Sequence, residues 1–122
     1  HDALPILERM AIPAIAAPMF LVSNPALTLA CCGEGIMGSF PAHGTRSREE
    51  FQAWLDEMQE GMKRLEDTGR KIAPWAVNLV VHASNPRYPG DLEPLAVGRV
   101  DSDEAALVEH AEVKRRAIAG RP

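Results

Sequence analysis

Cysteine, net positive charge and long apolar runs are all scarce in this sequence, and each scarcity argues against a class of protein. The two cysteines, Cys31 and Cys32, are adjacent. Neighbouring residues rarely form a disulfide, so no secreted-type framework is expected and a reducing, cytoplasmic location is the simpler reading. No pair of histidines has helical metal-ligand spacing and no Cys-x-x-Cys occurs, which argues against a zinc site. The net charge of -4 argues against a general nucleic-acid surface, which needs a basic face. The stretch from Ile12 to Ala30 comes closest to a membrane span, but Pro13, Pro18, Ser23, Asn24 and Pro25 interrupt it. A span needs roughly 18–20 apolar residues without such breaks. No basic segment leads into an apolar one as in a signal peptide.

What is present is the make-up of one soluble domain, 46% hydrophobic and 25% charged over 122 residues. Short apolar runs alternate with helical signals. Ile12-Pro-Ala-Ile-Ala-Ala17 reads as a buried strand ending at Pro18. Ser23-Asn24-Pro25 reads as a helix start, with an Asn cap and Pro at the first helical position. That helix is expected to run to Cys32, with Gly33 as its left-handed stop. Cys31 and Cys32 fit as small apolar packing within it. Gly35 to Phe40 is a second apolar segment.

Ser47-Arg-Glu-Glu50 is a capping box, in which the Ser hydroxyl and the Glu carboxylate each satisfy an orphan backbone N–H. Phe51, Trp54, Leu55, Met58, Met62 and Leu65 then mark one apolar helix face, and Gly69 closes the helix. Ile72 to Val81 is a third strand, with Pro74 near its start. Strands and helices alternating through short loops predict βαβ units and a parallel sheet with right-handed connections. Beyond Val81 the rhythm fades. Pro94 spoils a helix begun at Asp91, and residues 105–119 form a charged helical tail rich in Ala, Glu and Arg.

Several of these segments share a likeness. Ala17-Pro18-Met19, Ser23-Asn24-Pro25, Gly35-Ile-Met-Gly-Ser39, Trp75-Ala-Val-Asn78-Leu and Ser84-Asn-Pro-Arg87 resemble, in that order and spacing, the nitronate monooxygenase family, once called 2-nitropropane dioxygenases. The likeness spans roughly residues 5 to 93. It implies the first three strands of an FMN-type (β/α)8 TIM barrel over residues 5–93, incomplete, followed by a divergent helical tail over 94–122. It implies FMN contacts at Ala17, Pro18, Met19 and Asn78, which lie with Ser39 at or near the carboxyl ends of strands, where barrel active sites sit. The implied reaction is oxidation of an alkyl nitronate by O₂, giving a carbonyl compound and nitrite. An Asn within an apolar strand must pair its amide or cost about 1–3 kcal/mol, which also draws attention to Asn78.

The family's catalytic histidine, on a later strand in a His-Ala-Gly type segment, and its phosphate-binding Gly-rich loops have no counterpart in this sequence. Gly33-Glu-Gly35 precedes a strand rather than opening a helix, so it fails as a phosphate loop. A barrel takes roughly 250 residues. The expectation is therefore a truncated or frame-shifted N-terminal part, not catalytically competent alone, with open sheet edges that favour self-association. Two other readings are a non-catalytic interaction module and another FMN barrel of enoyl-reductase type. His43 and His82 follow strands on the active-site side, with solvated loop histidines as the default. His110 and the Lys114-Arg115-Arg116 cluster belong to the tail, and the cluster suits a helix C-terminus.

Overall fold

Ser47 opens the longest element in the computed structural model, which describes residues 4–79. Leu79 apart, these belong to one compact unit, His1–Asn78. In chain order the helices are α1 (Leu4–Glu8), α2 (Pro25–Gly33) and α3 (Arg48–Glu66). The strands are β1 (Gly38–Pro41) and β2 (Trp75–Asn78), and a 3-10 turn, Ala42–Gly44, follows β1.

The Ser47 hydroxyl accepts from the Glu50 N–H at 3.1 Å, as a cap should. The Glu50 carboxylate, however, accepts from the Arg46 N–H at 2.7 Å, one residue earlier than a capping box predicts. Along α3, Phe51, Leu55, Met58 and Met62 are buried and Trp54 and Leu65 half-buried, so the predicted stripe is the packed face. Gly61 on that face admits Leu29 of α2: a Cβ there would stand 3.1 Å from the Leu29 Cγ and closer to its methyls. The helix ends at Glu66, and Gly69 takes φ +71 three residues on.

α2 begins as expected. The Asn24 side chain accepts from the Leu27 N–H at 2.9 Å and Pro25 fills the first turn. Its end differs. Gly33 is still helical, Glu34 caps at φ -89, and the positive φ falls at Gly35 (+80). Ile36 donates to the Cys31 carbonyl and Gly35 to the Cys32 carbonyl, both at 3.0 Å, which is the Schellman pairing. A glycine is needed at that point for a second reason: a Cβ on Gly35 would stand 3.1 Å from the Ala11 nitrogen.

β1 and β2 pair in parallel, from Gly38 opposite Trp75 to Pro41 opposite Asn78. On the other edge of β1, Ile15 forms a single parallel bridge with Met37. Three segments thus lie side by side in chain order and parallel, each joined to the next through a helix. The expected second strand begins three residues late, because the Schellman turn consumes Gly35 and Ile36. The third is trimmed to Trp75–Asn78, Leu79 falls outside it, and residues 80–81 lie outside the described residues. The expected first strand is not a buried strand at all. Ile12 and Ile15 are 54% and 62% exposed. Ala14 donates back to the Ile12 carbonyl at 2.7 Å around Pro13, so the backbone kinks and only one bridge forms.

The sheet has two distinct faces. Gly38 lies against Thr28 of α2, and Phe40 meets Trp54 of α3 edge-on at 5.3 Å and stacks on Trp75 at 5.8 Å. These residues face the helices. On the opposite face Met10, Met37 and Ala73 form a small core with Ile6 of α1 and Ala76 packed against it. No local pattern announced α1, although Ile6 within it and Met10 just beyond it are spaced four residues apart. α2 is tied to the approach to β2 through Cys32, fully buried, whose carbonyl accepts from Ala73 N–H at 3.1 Å and whose thiol donates to the Pro74 carbonyl at 3.4 Å. Among the described residues no helix is long and apolar enough to cross a membrane.

Candidate functional site at the carboxyl end of the sheet

The carboxyl ends of segment 14–17 and β2 carry the four residues that the family likeness implies as flavin contacts. Ala17, Pro18, Met19 and Asn78 are all exposed. Asn78 is the last residue of β2, two positions beyond Ala76 and therefore on the face turned away from α2 and α3. The sequence suggested an amide enclosed in an apolar strand; the fold leaves it open to solvent at the strand end, with no desolvation to offset. Ala17–Met19 lies across β1 from Asn78, so the two sets flank one strand without adjoining each other.

Backbone groups at Ala17–Met19 are unevenly available. The Met19 N–H donates to the Ser23 hydroxyl at 2.8 Å, and its carbonyl accepts from Ser23 N–H at 2.9 Å and Val22 N–H at 3.3 Å. These bonds close a tight loop in which Leu21 stands at φ +65 and is 83% exposed. Pro18 has no N–H. Among the described residues the Ala17 N–H and the Ala17 and Pro18 carbonyls meet no partner. The ring of open groups is thus one N–H, two carbonyls and the Asn78 amide.

Ser39 holds this end together. It is buried, on the same sheet face as Asn78, and its hydroxyl donates to the Ala16 carbonyl at 2.5 Å. That carbonyl is the acceptor the next rung of the ladder after Ile15–Met37 would use. Nothing local in the sequence announces this bond, whose partner lies 23 residues away. The loops after the first segment and after β1 also approach: a Cβ on Gly44 would stand 3.7 Å from the Ser23 carbonyl and 3.2 Å from the Trp54 ring.

His43 lies in the 3-10 turn after β1 and is half-buried, with its Nδ1 enclosed and, among the described residues, without a hydrogen-bond partner. It is therefore a loop histidine, as expected, but only partly solvated. Gly33-Glu-Gly35 offers no anion cradle, because the Glu34 and Gly35 N–H groups are bonded to α2 carbonyls. Among the described residues no cluster of three His, Cys, Asp or Glu side chains is placed to hold a metal ion. His82, Ser84–Arg87, His110, Lys114–Arg116 and the tail over 94–122 lie outside the described residues. Neither a family model, nor a curated protein, nor a solved structure matches this chain.

Proposed function

We propose that this chain carries the flavin-ring edge of an FMN-dependent oxidoreductase of nitronate monooxygenase type, formed on the first βα units of a (β/α)8 barrel. One observation supports it above the rest. Three parallel segments lie in chain order, the arrangement of successive barrel strands, and the two outer ones end in the exposed residues Ala17, Pro18, Met19 and Asn78. These four residues are the ones that the family likeness implies as flavin contacts.

The groups present suit an isoalloxazine edge. Such a ring takes hydrogen bonds along its rim and apolar contact on its face. Asn78 supplies both a donor and an acceptor, and Ala17 and Pro18 supply open backbone groups. Met19 contributes its thioether rather than its N–H, which Ser23 already holds. When bound, FMN supplies the redox chemistry by which an alkyl nitronate and O₂ give a carbonyl compound and nitrite. The four residues bind and orient the ring. The proposal covers a soluble, cytoplasmic domain over residues 5–93. The proton-abstracting histidine and the phosphate loops of the family have no match within it, so weak ring binding and no nitronate turnover are expected of these 122 residues.

The test is titration of the purified protein with lumiflavin, the ring without its phosphate, followed by fluorescence quenching. Asn78→Ala should weaken binding roughly tenfold, the equivalent of one hydrogen bond of about 1.4 kcal/mol. It should leave the unfolding midpoint in place, since the side chain is exposed. Absence of ring binding, or equal binding by the variant, would sink the reading. Stoichiometric FMN with nitronate turnover would refute the expected inactivity alone.

A further inference from the structure

We propose that the outer edge of Pro13–Ala17 pairs with the same edge of a second copy of this chain, antiparallel about a two-fold axis at Ile15. The inner edge is occupied: the Ala14 carbonyl and the Ala16 N–H both bond to Met37. Alternation along an extended chain turns the Ile15 N–H and C=O and the Ala17 N–H to the other side. Among the described residues none of these three groups has a partner.

Open rungs of this kind are normally guarded by charge or covered. Here no charged residue, and no histidine, occurs from Met10 to Gly33, although the chain as a whole carries -4. Two copies therefore meet at this edge without bringing like charges together, whereas a charged partner would find no complement. The hydrogen-bond pattern is also its own complement. About the axis, the Ile15 N–H and C=O of one copy meet those of the other, and each Ala17 N–H meets a Pro13 carbonyl. Pro13, which lacks an N–H and around which the chain turns back, falls at the outermost rung, where both departures from an extended strand cost least. Ile12 and Ile15 bring exposed apolar surface to the seam, and the contact is isologous, so it closes at two.

This inference shares the Ala17 N–H with the flavin reading and otherwise uses the lateral edge of the segment rather than the carboxyl end of β2. In a barrel that closes on a last strand of its own, that strand would fill the edge. Sedimentation velocity of the purified protein distinguishes the cases. The expected species has about twice the 13.3 kDa chain mass, and Ile15→Lys should return it to monomer with an unchanged far-ultraviolet spectrum. Register is tested by Ala14→Cys and Ala16→Cys. In the proposed pairing residue 14 of one copy faces residue 16 of the other as a non-hydrogen-bonded pair, with Cα atoms about 4.5 Å apart and within disulfide reach. Oxidising a mixture of the two variants should give the mixed disulfide, and neither variant should cross-link to itself as readily. This pair decides the matter even where the lysine variant fails to fold. A monomer at every concentration, a dimer that survives Ile15→Lys in folded protein, or indiscriminate cross-linking would overturn the proposal. Asn78 lies at the end of β2, across β1 from this seam, so the Asn78→Ala titration with lumiflavin, run on monomeric protein, scores the flavin reading separately.

Discussion

The Ser39 hydroxyl donates to the Ala16 carbonyl, so a side chain continues a backbone ladder that Pro18 and the following loop would otherwise end. Ser39→Ala should cost about 1 kcal/mol through the lost bond and the carbonyl it strands. Urea denaturation measures the cost. Hydrogen exchange of the Ala16 and Ala17 amides should quicken, and Ser39→Thr, which keeps the hydroxyl, should recover most of the loss. Unchanged exchange in Ser39→Ala would mean the bond does not hold the segment in place.

Phe40 is fully buried between Trp54 and Trp75. Phe40→Ala should destabilise by about 3–5 kcal/mol, and Phe40→Leu by less, because leucine refills part of the cavity. The chain has only these two tryptophans. Their emission should therefore report the loss of packing directly, shifting to the red in the alanine variant before any unfolding.

Gly38 is held small by α2. A Cβ there would stand 2.8 Å from the Thr28 Cα and 2.9 Å from its Cγ2. Because the first of these is backbone, the helix itself must shift. Gly38→Ala should therefore destabilise by about 1–3 kcal/mol, against the gain of roughly 0.5–1 kcal/mol that replacing a strand glycine ordinarily brings. A thermal midpoint at or above that of the parent protein would contradict this packing.

Leu21 is the one non-glycine residue with positive φ among those described, and it is almost wholly exposed. A left-handed conformation costs such a residue about 1–2 kcal/mol. Leu21→Asn or Leu21→Gly should stabilise by up to about 1 kcal/mol, and both remove apolar surface from the loop. A lower denaturation midpoint in both variants would show that the leucine is held there by contacts of its own.

Local rules carried much of this structure. The Asn24 and Ser47 caps, Pro25, and the stripe from Phe51 to Leu65 are legible because each depends on residues within a turn or two of one another. The apolar runs through Phe40 and Trp75 likewise mark strands, since both faces of that part of the sheet are covered. The same rules misplaced the stop of α2 by two residues. Both Gly33 and Gly35 can adopt positive φ, and only the approach of Ala11 to Gly35 decides between them.

Periodicity and capping signals determined that the chain from Ile12 onward alternates helices and parallel strands, while the family likeness alone nominated Ala17, Pro18, Met19 and Asn78 as a set. Tertiary structure decided how they are presented. The segment Ile12–Ala17 has the composition of a buried strand, but burial belongs to the neighbours a strand finds, and along its outer edge it finds none among the described residues. Asn78 escapes desolvation because β2 ends on it. Met19 loses its N–H to Ser23, and Ser39 gains Ala16 across 23 residues. Such pairings depend on where the chain returns in space, which no local pattern encodes.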